Sequence, residues 1–140
     1  MNYLLDTCVI SELVKPRPNT AVTDWLARIP ADRLFLCSLT IGELKRGITR
    51  LPDSKKKSRL MMWLETLLAD YGDRILPVDR AAAEAWGIMQ AWAEDSGKRM
   101  SIIDGYIAAT ALVYQMTVVT RNEEDFSPIH QAILNPWKML

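Results

Sequence analysis

The 140-residue chain has one histidine and two cysteines. A lone His130, beside Pro128 and Ile129, weakens any mechanism that needs a His pair or a Ser/His/Asp triad. Cys8 and Cys37 stand far apart with no CxxC spacing, which argues against a zinc site and a disulfide scaffold. They read as small core residues. Net charge is also missing: Lys+Arg and Asp+Glu number 17 each, so the field of the whole molecule selects neither an anionic nor a cationic partner. Long apolar runs are missing too. The longest, Gly105 to Tyr114, is far below the ~18 residues of a membrane span. The start carries Asp6 inside its apolar stretch and lacks the basic lead of a secretory signal. These absences leave a soluble cytoplasmic protein as the expectation, with chemistry drawn from carboxylates and a metal.

What is present is apolar material for one sizeable core, 49% of the residues, and hence a single domain over 1–140. Strand-like runs recur at Asn2 to Asp6, Leu34 to Cys37, Ile75 to Val78, Thr117 to Thr120 and Ala132 to Leu134. Helical patterns lie between them, at about Val9 to Val14, Thr20 to Ile29, Thr40 to Leu51, Ser54 to Tyr71, Arg80 to Ser96 and Ile102 to Gln115. This alternation predicts an α/β fold, a mostly parallel sheet of about five strands flanked by helices in three layers. In such open sheets the working crevice lies beyond the carboxyl ends of the strands.

Three acids stand out by context. Tyr3-Leu4-Leu5 should be buried, yet the run stops at Asp6; Glu43 follows in SLTIGELKRG, and Asp104 in MSIIDGYIAATAL. Each has a purely structural reading. Asp6 suits a helix N-cap, and both Thr40-Ile41-Gly42-Glu43 and Ser101-Ile102-Ile103-Asp104 match a capping box. All three, however, fall where the predicted architecture gathers strand ends along one edge. If they converge, two like charges ~4 Å apart cost roughly 4 kcal/mol at an effective dielectric near 20, so either pKa values rise or a cation neutralises them. Oxygen ligands without Cys or His select a hard cation such as Mg2+ or Mn2+. Such a cation polarises a phosphoryl oxygen and activates a water, which suits phosphodiester hydrolysis. Downstream, VVTRNEEDF adds Asn122 or Asp125 as further candidates, although Asn-Glu-Glu-Asp also reads as a solvated turn and helix start.

From Lys45 to Arg59 the stretch KRGITRLPDSKKKSR carries seven basic residues and one acid. Alone this is a solvated helix face. Next to an acidic metal site it becomes a candidate nucleic-acid or partner contact through Lys45, Arg46, Arg50, Lys55, Lys56 and Lys57. Trp86, Met89 and Trp92 recur at near-helical spacing and point to core or a subunit interface.

Taken in order, MNYLLDTCVISEL, LTIGELKRGI, DGYIAATAL, VVTRNEEDF and LNPW resemble the successive motifs of PIN-domain ribonucleases of the VapC/FitB toxin type. The resemblance covers nearly the whole chain. It implies a metal-dependent endoribonuclease, usually dimeric, using Mg2+ or Mn2+ and held inactive by a small DNA-binding antitoxin. It assigns Asp6, Glu43 and Asp104 to the principal acidic positions and Thr120-Arg121-Asn122 to the final site motif; Thr7, Thr120 and Arg121 are expected to position the substrate. Asn122 stands where many members carry Asp, which opens the fourth position to Asp125.

Two alternatives fit less well. A signalling receiver would use Asp79 as phosphoacceptor but needs a Lys after its last strands, and VVTRN has none. A haloacid-dehalogenase-type phosphatase needs a second Asp where this chain has Cys8. A non-catalytic acidic pocket that captures a basic partner tail stays open as the alternative.

Overall fold

The structure, a computed structural model, describes residues 1–126 and 132–139. His130, Pro128 and Ile129 lie outside the described residues. Five short strands, β1 (Tyr3–Leu5), β2 (Leu34–Cys37), β3 (Ile75–Leu76), β4 (Thr117–Val119) and β5 (Ile133–Leu134), form one sheet in the order β3-β2-β1-β4-β5. Every neighbouring pair is parallel. Among the described residues, seven α-helices connect or follow them: α1 (Thr7–Glu12), α2 (Thr20–Arg28), α3 (Ser38–Thr49), α4 (Lys55–Tyr71), α5 (Arg80–Asp95), α6 (Ile102–Val113) and α7 (Glu123–Phe126).

The three layers follow from strand alternation. Successive residues of a strand face opposite sides, so Leu5, Leu36 and Val119 join the core beneath α1 to α4, while Leu4, Cys37 and Val118 join the core beneath α5 and α6. Burial on both faces explains why these strands are apolar throughout. Ala108, Ala109 and Ala111 keep α6 thin where it crosses the sheet, and each is fully buried.

Several boundaries differ from the sequence expectation for identifiable reasons. α1 begins at Thr7 because Asp6 is its N-cap, accepting from the Thr7 N–H. α3 begins at Ser38, directly from β2 and with no side-chain cap. The capping box at Thr40 is therefore absent, and Thr40 is a buried residue inside the helix. β3 stops at Leu76 because Pro77 offers no N–H to extend the ladder. The Ser101 cap is present, accepting from the Asp104 N–H at 3.1 Å, and Asp79 caps α5 through the Ala82 N–H at 2.9 Å. At the end of α6, Gln115 takes φ 56°, and the next N–H, from Met116, closes on Ala111 O at 2.8 Å. This left-handed turn feeds the chain straight into β4.

Of the tryptophan series, Met89 is core, Trp86 stacks on Tyr106 with ring centroids 4.8 Å apart, and Trp92 is 61% exposed. No helix among the described residues is long and apolar enough to cross a membrane.

Candidate active site

The order β3-β2-β1-β4-β5 reverses direction between β1 and β4, and the carboxyl ends of those two strands deliver Asp6 and Thr120 side by side. Asp6 is only 5% exposed, so an unpaired carboxylate there would be costly. Both oxygens are held: Oδ1 accepts from Thr7 N at 2.8 Å, and Oδ2 accepts from Thr120 Oγ1 at 2.8 Å. Thr120 Oγ1 in turn accepts from Asn122 N at 3.0 Å, which ties the loop after β4 to the end of β1.

Glu43 arrives from the second turn of α3. Its Oε1 accepts from Thr7 Oγ1 at 2.5 Å, and Thr7 Oγ1 also lies 3.4 Å from the hydroxyl of buried Thr40. Thr7 thus joins two of the acids, through its backbone to Asp6 and its side chain to Glu43. Asp104 sits in the first turn of α6. Burial pushes its carboxyl up to about 6, opposed by the Ser101 hydrogen bond, and the charges of Asp6, Asp125 and Glu43 push it the same way as burial. Asp125, one of the two candidates for the fourth position, is therefore in electrostatic range of the acids. Asn122 is exposed and, with Arg121 and Asp125, lines an open cavity of about 320 Å³.

The donor set is all oxygen, partly buried and short of positive charge, which fits a hard divalent cation. Among the described residues, however, no group of three or more His, Cys, Asp or Glu side chains is positioned to hold a metal ion. The acids share a field, but they do not form a ready-made cage, which is a weaker convergence than the sequence suggests.

Cys8, expected in the core, is instead half-buried at the site, with Sγ 3.6 Å from Asp6 Oδ2 and 3.7 Å from Thr120 Oγ1. Burial and the Asp6 charge push its thiol up to about 11, so it stays protonated and is no nucleophile at neutral pH. Cys37 is core as expected.

Arg121 is exposed, with its guanidinium 5.6 Å from the centre of the Trp137 ring. A C-terminal clamp holds this loop. Asn135 Nδ2 donates to Glu123 Oε2 at 3.1 Å and to Arg121 O at 3.4 Å, and Lys138 pairs with Glu123 at 2.5 Å. Glu12, missed by sequence reasoning, is buried at the end of α1 and accepts from Lys15 Nζ at 2.8 Å and Asn19 N at 2.9 Å. The Lys15 bond, the Asn19 N–H and the nearby Arg121 charge hold its carboxyl below the usual range.

The basic segment is split by the fold. Lys45, Arg46 and Arg50 lie exposed on α3 and at its end, and Lys55 and Lys56 open α4. Lys57 differs from expectation: its Nζ donates to Thr49 O at 3.1 Å and Asp53 Oδ1 at 3.3 Å, so it closes the α3–α4 hairpin.

A parallel α/β sheet with buried acid at its switch point defines a class, and the chain belongs to the PIN domain family, whose model matches residues 3–129. The toxin FitB of Neisseria gonorrhoeae is 39% identical over 135 residues, spanning 96% of this chain and 97% of FitB. A VapC ribonuclease of Sinorhizobium fredii is 37% identical over 136 residues, with 96% and 97% covered. Among solved structures, FitAB bound to the IR36 DNA fragment superposes with a TM-score of 0.93 at 37% identity, covering 99% of this chain and 97% of the other.

Proposed function

We propose that the 140 residues act as one PIN domain, a cytoplasmic endoribonuclease toxin that hydrolyses RNA phosphodiester bonds with a metal-activated water and is inhibited by a cognate DNA-binding antitoxin. The observation that carries this reading is Asp104, whose carboxyl is raised to about 6 by burial and by the charges of three other acids, Asp6, Asp125 and Glu43. The similarity to a VapC ribonuclease supports the reaction, and the similarity to FitAB on DNA supports the partner.

Asp6, Glu43 and Asp104 would hold Mg2+ or Mn2+, with Asp125 or Asn122 completing the set. When bound, the cation supplies Lewis acidity toward a phosphoryl oxygen and an attacking water. The chain's own part is orientation. Thr7 and Thr120 fix both oxygens of Asp6, and Thr7 holds Glu43, so two carboxylates are set before substrate arrives. Arg121, seated on Trp137, meets a substrate phosphate. Attack of water forms a new P–O bond while the P–O3′ bond breaks and the 3′ oxygen takes a proton.

Cleavage of total RNA in Mn2+ should therefore leave 5′-phosphate and 3′-hydroxyl ends; 2′,3′-cyclic phosphates would exclude the mechanism. Asp6→Asn keeps a capping side chain but loses the anion, and should abolish cleavage with the melting temperature little changed. A homodimer is part of the same reading, since Ile88 and Trp92, one turn apart on α5, are 54% and 61% exposed. Sedimentation measures it.

One observation favours a second reading. The lack of a preformed three-ligand group among the described residues suits a non-catalytic acidic pocket that binds a basic partner tail. Calorimetry with Mn2+ on wild type and Glu43→Gln separates the two, because only the nuclease binds the metal through Glu43.

A further inference from the structure

A cavity of about 700 Å³ lies where the chain leaving α1 meets α4, lined by Val14, Lys15, Lys56, Arg59, Leu60 and Trp63. A smaller one, about 220 Å³, shares Val14, Leu60 and Trp63 with it and reaches Thr7 and Glu43. The two adjoin at these three shared residues and together outline a groove, one end at Thr7 and Glu43 and the other among Lys15, Lys56 and Arg59. Its floor is apolar and its outer rim basic. Trp63 is half-buried: part of the indole packs on the core under α4, and the rest faces the groove. Lys15 is paired with Glu12, but among the described residues neither Lys56 nor Arg59 forms an ion pair, and both are exposed.

We propose that this groove is a subsite for single-stranded RNA flanking the cleaved bond, in which an unpaired base stacks on Trp63 and the adjoining phosphates meet Lys56 and Arg59. This rests on the ribonuclease reading above. Charge complementarity selects the occupant: an apolar floor alone would suit many ligands, but unpaired cations around an aromatic ring suit a polyanion whose bases present flat faces. Continuity with Glu43 gives the direction, since a strand whose phosphodiester lies at the acids runs on toward Trp63. Base stacking of this kind tolerates any base, so the subsite contributes affinity and strandedness more than sequence preference.

The test uses the full chain and a 5′-fluorescein decauridylate, read by anisotropy in EDTA so that the probe is not cut. Wild type should bind it, Trp63→Phe should bind nearly as well, and Trp63→Leu, which keeps apolar packing without a ring, should bind on the order of tenfold or more weakly. Lys56→Gln with Arg59→Gln should flatten the salt dependence by roughly 0.7 in log–log slope for each phosphate that is no longer neutralised. Equal melting curves for the variants keep the comparison about binding. Failure of wild type to bind, or equal binding by Trp63→Leu, overturns the proposal and leaves the groove to an apolar segment of a protein partner. Cleavage of total RNA in Mn2+ is scored separately. Cleavage with Trp63-independent binding rejects the subsite alone, and Trp63-dependent binding without cleavage rejects the nuclease reading alone.

Discussion

Asp104 shows how a single side chain can report on a whole site. Its carboxyl is raised from 3.8 to about 6, first by burial and then by Asp6, Asp125 and Glu43. Between about pH 4 and 6 the folded state therefore holds more protons than the unfolded chain. Stability from this group is present below about pH 4, is lost as pH rises through about 6, and stays lost above. Asp104→Asn removes the titration, so thermal melts should show the variant gaining on wild type at pH 7.5 and losing most of that advantage at pH 4. A difference that does not vary with pH would mean that neither burial nor the neighbouring acids shift the Asp104 carboxyl. The same proton competes with any cation at the site, so apparent affinity for Mn2+ should fall as pH drops through about 6. Little of this is open to a reading of MSIIDG, where a capping box and a candidate site acid look alike; the Ser101 cap and the raised Asp104 carboxyl occupy the one turn.

At the scale of elements, α6 carries Asp104 and must sit close to α5 for the acid to reach the sheet edge. Gly105 permits that approach: a Cβ there would lie 2.9 Å from Trp86 Cδ1 and Nε1, and Trp86 is itself pinned against Tyr106. Gly105→Ala gains up to ~1 kcal/mol of helix propensity but forces the indole off its stack, an overpacking cost of about 1–3 kcal/mol. The expected net result is a lower melting temperature and a displaced Asp104, read as a midpoint drop of a few degrees together with reduced cleavage. An unchanged midpoint would show that Trp86 moves freely. Capped elements such as α5 and α6 are legible because Asp79 and Ser101 mark their starts chemically. The start of α3 is misplaced by two residues in the sequence reading because β2 runs into it without a turn residue, and Thr40 imitates a cap while serving as a buried neighbour of Thr7. Cys8 is misjudged for a similar reason. Residue type announces core, and only the approach of β4 reveals that Thr120 closes on it. The groove at Trp63 depends on residues from α1 and α4 meeting in space, for which no local pattern exists.

For the molecule as a whole, zero net charge conceals a local division: Asp6, Glu43, Asp104 and Asp125 share one field, while Lys45, Arg46, Arg50, Lys55, Lys56 and Arg59 lie exposed on and beside α3 and α4. The folded chain holds its acids in mutual repulsion, and the unfolded chain does not. A ligand that binds only the folded state stabilises it by RT ln(1 + [L]/Kd), about 2.7 kcal/mol at a concentration a hundredfold above Kd. For a chain of this size that corresponds to a midpoint rise of roughly 5–10 °C. Mn2+ should therefore raise the melting temperature of wild type at pH 7.5, raise it much less at pH 5 where Asp104 takes up a proton, and leave Asp6→Asn almost unmoved. The pH arm separates site binding from general screening, because added salt shields surface charge at both pH values. A wild type whose midpoint ignores Mn2+ at every pH would leave the four acids without a metal role and turn the pocket toward a cationic protein partner.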